Sequence, residues 1–105
     1  MKEKGIMLVH TVYFWLKPNT TKENIDFFFN QVKSLADIKS VKAFYIGRPA
    51  TTPPREVVDQ SYGCGLTVIL NDLAGHDAYQ IDPIHKAFIE NCSHLWEKVK
   101  IYDSI

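Results

Sequence analysis

The chain has no surplus of positive charge. Lys plus Arg and Asp plus Glu both number 12 among 105 residues, and the pI is near 6.9. Without a basic excess to neutralise phosphates, nucleic acid is not an expected partner. A net charge near zero also gives little self-repulsion, which favours self-association. Cysteine is scarce. Cys64 and Cys92 form no CxxC pair and no His/Cys cluster at zinc spacing, so they read as reduced, partly buried thiols. Four histidines are present, but His76, His85 and His94 fall at intervals of nine and offer no i, i+4 pair. A tight transition-metal site is therefore not expected. The sequence has no glycine-rich phosphate loop, no serine nucleophile elbow and no paired-carboxylate motif. None of these patterns requires a cofactor. No run approaches the ~20 apolar residues of a membrane span. The opening MKEKGIMLVHTVYFWLKP has lysines ahead of apolar residues, but His10 and Thr11 interrupt it and no small-residue cleavage site follows. It reads as a strand, with no membrane association and a cytoplasmic location expected.

What is present suits one domain spanning residues 1–105. A core this small is thin, and a partner subunit is a common further source of stability. Residues 7–17 are rich in β-branched and aromatic side chains and predict a first strand. Leu8, His10, Val12, Phe14 and Leu16 share one face, and Val9, Thr11, Tyr13 and Trp15 share the other. Both faces are largely apolar, so both should be covered. Thr20 and Glu23 have capping-box spacing, with Thr20 at N-cap. Ile25, Phe28, Phe29, Val32 and Leu35 follow at helical spacing, with Phe27 to the side. That helix should end near Ala36. Residues 41–47 predict a second strand, and Pro49, Pro53 and Pro54 make 48–60 a loop. Residues 61–70 predict a third strand, whose Gly63 and Gly65 suggest a bulge or a close backbone approach. Asn71 and Asp72 can cap a short helix to about Tyr79. Asp82-Pro83 starts another, with Asp at N-cap and Pro at N1. Residues 97–103 predict a fourth strand.

The order β-α-β-β-α-β is the split βαβ, or ferredoxin-like, arrangement: an α+β fold with a four-stranded antiparallel sheet and helices on one face. The open face, with Val9, Thr11, Tyr13 and Trp15, then needs a second cover. A homodimer in which two such sheets close one barrel is the simplest candidate.

Three segments carry a family resemblance. They are His10-Thr11-Val12-Tyr13-Phe14, Tyr79-Gln80-Ile81-Asp82-Pro83-Ile84-His85 followed by Phe88, and Val99-Lys100-Ile101-Tyr102-Asp103. In order and spacing the chain resembles the stress-responsive dimeric α/β-barrel (Dabb) family over almost its whole length. The family's second segment is Tyr-x-x-His-Pro-x-His, and Asp82 stands where its first histidine would be. The resemblance extends distantly to plant polyketide cyclases of the olivetolic acid type. It implies His85 as a base and carries Tyr79 over. Cys64 falls where such a cyclase has a histidine, and Gln31 where it has a tyrosine.

The candidate site therefore comprises His85 and Tyr79 as catalytic residues and His10, Val12, Phe28 and Phe88 as ligand contacts. His85 lies near a helix N-terminus, where the dipole disfavours the imidazolium and leaves a neutral ring able to accept a proton. Against this, His85 could simply pack at a helix start, His10 could be a satisfied core residue, and the Phe27–Phe29 run could be core. Asp82 reads as a cap, and His76 and His94 as surface or helix-edge residues. Three functions stay open. The first is a dimer binding a small apolar or aromatic ligand. The second is a cofactor-free enzyme acting on a carbonyl compound. The third is a structural stress protein with no ligand.

Overall fold

The computed structural model describes residues 7–105. Strand β1 (Leu8–Leu16) leads through helix α1 (Lys22–Ser34) to β2 (Ala43–Gly47) and β3 (Cys64–Leu70). Helices α2 (Leu73–Ile81) and α3 (Pro83–Cys92) follow, and β4 (Trp96–Ser104) completes the sheet. The sheet order is β2-β3-β1-β4 with every pairing antiparallel. This is the expected ferredoxin-like fold, with the predicted second helical region divided at Asp82 as its caps implied.

Period-two alternation decides the faces of β1. Leu8, His10, Val12 and Phe14 are buried beneath the helices, while Val9, Thr11, Tyr13 and Trp15 on the other face are only half-buried. From α1, Phe28, Phe29 and Val32 enter the core, joined by Leu35 just beyond it. Phe27 does not join them and remains 41% exposed, so the buried stripe is narrower than the three-phenylalanine run suggested. Phe14 meets Phe28 at 5.2 Å and Phe88 at 5.9 Å between ring centroids. Trp96 completes the cluster at 5.1 Å from Phe14, and edge-on and tilted ring packing of this kind adds to plain area burial.

Three element boundaries differ from expectation for local reasons. The cap of α1 is Thr21 rather than Thr20, and it accepts a hydrogen bond from the Asn24 amide at 3.1 Å. The Thr20 hydroxyl is committed to the Lys17 carbonyl in a turn through Asn19, whose φ is 68°. Glu23 thus lies one place too early to close a capping box. Strand β3 starts at Cys64 rather than residue 61, because Ser61 donates both its amide and its hydroxyl to the Asp59 carboxylate. Strand β2 starts at Ala43, since the Val41 amide closes a turn onto Ile38.

Candidate functional site

The site begins with register. On the helix-facing side of β1, His10 stands directly opposite Val68 on β3 and Asp103 on β4. The His10 ring is almost wholly buried, and its Nδ1–H donates to Asp103 Oδ1 at 2.6 Å. A buried imidazole needs such a partner, because leaving a donor unpaired costs far more than the bond itself contributes. This bond also leaves the other ring nitrogen of His10 as the one free to meet a ligand.

Helix α2 crosses above this pair. His76 and Tyr79 are three residues apart and therefore share a face. Their rings sit 5.3 and 5.5 Å from that of His10. Asp82 then joins two helices. Its backbone ends α2, with the amide donating to the Tyr79 carbonyl, and its carboxylate caps α3 by accepting from the Ile84 amide at 2.8 Å. Pro83 follows at the first helical position, where its missing N–H costs nothing. This joint sets His85 in the first turn of α3, with its ring 4.9 Å from that of Tyr79.

His10, Val12, Tyr79, His85 and Phe88 together line one cavity of about 130 Å³ between sheet and helices. Leu35, Leu66 and Val99 supply apolar wall, and the more exposed Ile89 and Ile101 also border it. Five of the six expected site residues thus meet in one place. Phe28 does not: it is fully buried among Phe14, Phe29, Phe88 and Trp96 and supports the wall from behind.

The electrostatics of the cavity follow from burial. His85 is held below the ordinary histidine pKa, chiefly by desolvation and secondarily by the nearby His10. A hydrogen bond to the Gln80 backbone and the Asp82 carboxylate pull the other way. Burial pushes the Tyr79 hydroxyl well above its usual range, so it remains protonated. Tyr79 itself borders the cavity, which puts a protonated hydroxyl-bearing ring beside any bound molecule.

Two positions that differ from the cyclases stand away from this wall. Cys64 is buried in the core, where desolvation raises its thiol to about 12. Gln31 accepts from Asn91 Nδ2 at 3.2 Å and links α1 to α3. Sequence reasoning missed two residues that border the site. Asp103 reaches it only through strand pairing, and His76 is half-buried against His10 rather than a surface residue. Spacing along the chain holds no signal for either, because each meets His10 across the tertiary fold.

A ferredoxin-like domain with a histidine- and tyrosine-bearing cavity between sheet and helices defines the class. The chain belongs to the stress responsive A/B barrel domain family, whose model matches residues 8–105. Among solved structures it is similar to a Dabb family protein with a ferredoxin-like fold from Mesorhizobium loti. The identity is 27%, the TM-score is 0.76, and the match covers 94% of this chain and 95% of that one. A dimeric ferredoxin-like protein of unknown function from Thermobifida fusca shares 17% identity with a TM-score of 0.78, covering 99% and 94%. The hydroxynitrile lyase of Passiflora edulis shares 16% identity with a TM-score of 0.82, covering 97% and 94%. Among curated proteins, none matches this sequence. Among the described residues, no helix is long and apolar enough to cross a membrane.

Proposed function

We propose that the chain acts as a cytoplasmic homodimer that binds a small, mostly apolar or aromatic ligand in the cavity between sheet and helices. The observation that carries this reading is the cavity itself, with apolar walls and a polar corner made by His10, Tyr79 and His85. Its volume of about 130 Å³ sets the ligand's size. A protein cavity of about 150 Å³ accommodates benzene, so one ring with a small substituent is the fitting scale. A carbonyl or hydroxyl on that ligand would meet the Tyr79 hydroxyl or a histidine nitrogen. A ligandless structural protein would be expected to fill this space with Phe28, Phe88 and Leu8.

Dimerisation is supported by the outer sheet face. Tyr13 and Trp15 there are joined by Tyr45 and Tyr102, which are 69% and 59% exposed. Aromatic side chains at this density on one face suit an interface, and the similar Thermobifida fusca protein is dimeric.

A second reading has one specific observation in its favour. The neutral His85 beside Tyr79 is equipped for cofactor-free acid–base work on a carbonyl compound, with His85 as base and Tyr79 or His10 orienting the substrate. The similar hydroxynitrile lyase shows that one protein of this fold is a lyase. Ligand-observed NMR with a library of single-ring aldehydes, ketones and phenols tests both readings. Binders that lose affinity in Phe88→Trp, which fills the cavity, support the first. Turnover of a binder that disappears in His85→Ala and persists in His94→Ala supports the second. A library without cavity-dependent binders would refute both, and a monomer by light scattering would refute the dimer.

A further inference from the structure

Beside the cavity, His10, His76 and Asp103 converge from β1, α2 and β4, and one ligand-capable atom from each lies within 4.8 Å of the others. We propose that these three side chains form a site for a divalent first-row transition ion of the zinc class, which shares His10 with the cavity.

The donor set fits this class. Imidazole nitrogen suits zinc, copper and nickel, whereas calcium and magnesium prefer all-oxygen shells. Two histidines and one carboxylate also leave a coordination position for water. The geometry is close to what such an ion requires. Tetrahedral bonds of about 2.1 Å set neighbouring donor atoms roughly 3.4 Å apart. His10 Nδ1 lies 2.6 Å from Asp103 Oδ1 and His76 Nε2 lies 3.9 Å from Asp103 Oδ2, so the two imidazoles face the two oxygens of one carboxylate at separations on the scale of that value. The shorter one is the hydrogen bond of the metal-free state. Coordination would replace the Nδ1 proton of His10 with the ion and release that proton to solvent. Asp103 then turns one oxygen to the ion, which its partial exposure permits.

The surroundings support the same reading. His76 has the Asp77 carboxylate 3.5 Å from its Nδ1, on the side away from Asp103. A carboxylate behind a ligating histidine orients the ring and raises its basicity, the usual outer-shell arrangement at histidine metal sites. The Gln80 side-chain nitrogen stands 3.4 Å from His76 Nε2, the atom the ion would take, so coordination would displace that contact. His10 is already positioned by strand pairing and burial, so little ordering is needed on binding.

The test uses the tag-free chain. Zinc is titrated by calorimetry, and cobalt is titrated by visible absorption, whose d–d bands report nitrogen and oxygen coordination. Saturation at one ion per chain is expected, and His76→Ala should weaken binding by more than about tenfold. His94→Ala, on an exposed residue, should bind as the unsubstituted chain does. His76→Gln, with its fold checked by circular dichroism, serves if the alanine variant is unstable, and it should bind as weakly. No saturable uptake would overturn the proposal, as would equal affinity in the His76 variants or loss of binding in His94→Ala.

Discussion

Replacing Asp82 with alanine tests the joint that holds His85 in the cavity. The Asp82 carboxylate accepts the Ile84 amide at 2.8 Å, one of the α3 amides with no partner inside the helix. Alanine removes that acceptor and leaves the backbone free to keep its extended conformation. N-cap losses of this kind cost about 0.5–2 kcal/mol, typically ~1. For a domain of this size, each kcal/mol lowers the melting midpoint by about 4–8 °C. A drop of about 4–8 °C is therefore expected for the typical loss of ~1 kcal/mol, read by calorimetry or by circular dichroism. Asparagine separates capping from charge, because it caps about as well as aspartate but carries no charge. Asp82→Asn should retain most of the stability that Asp82→Ala loses. Both variants should lower the His85 pKa further, since the Asp82 charge is one of the influences raising it. Ring resonances followed through a pH titration read that shift directly. If Asp82→Ala matches the unsubstituted chain in stability, or if asparagine is as damaging as alanine, the cap does not hold α3 as argued.

Three further outcomes follow from burial. His85 has a folded pKa below the ordinary histidine value of 6.5, so the unfolded chain binds its proton more readily. The stability this contributes is complete above that value and is lost as pH falls through the lower folded pKa. Denaturant midpoints measured from neutral to acidic pH should fall less steeply in His85→Gln, and identical slopes would count against a desolvated His85. Phe28→Ala should cost about 3–5 kcal/mol in urea unfolding, whereas Phe88→Leu should change ligand affinity more than Phe28→Leu does, because only Phe88 is on the cavity wall. Cys64 and Cys92 are raised by burial to about 12 and about 11. A thiol reagent at about pH 8 should label them only after unfolding, since the thiolate is the reactive form; rapid labelling of the native chain would contradict their placement.

Much of the architecture was legible in local pattern. Alternation along β1 separated its two faces, the stripe from Ile25 to Leu35 marked α1, and Asp82-Pro83 marked the start of α3 at the residue where it begins. These signals are short-range: side-chain periodicity, and capping bonds that span only a few residues. The order of elements then limited the topology to the split βαβ arrangement, and the motif segments brought His10, Tyr79 and His85 forward together. Other details escaped because a competing bond decided them. The Thr20 hydroxyl went to the Lys17 carbonyl and moved the cap to Thr21, and Ser61 turned onto Asp59 and stayed out of β3. The largest gap concerns His76 and Asp103. No interval along the chain connects them to His10, because strand register sets Asp103 opposite His10 and the packing of α2 over the sheet brings in His76. Which side chains cross from one element to another depends on sheet order, register and helix position, and these are properties of the packed chain rather than of any segment of it.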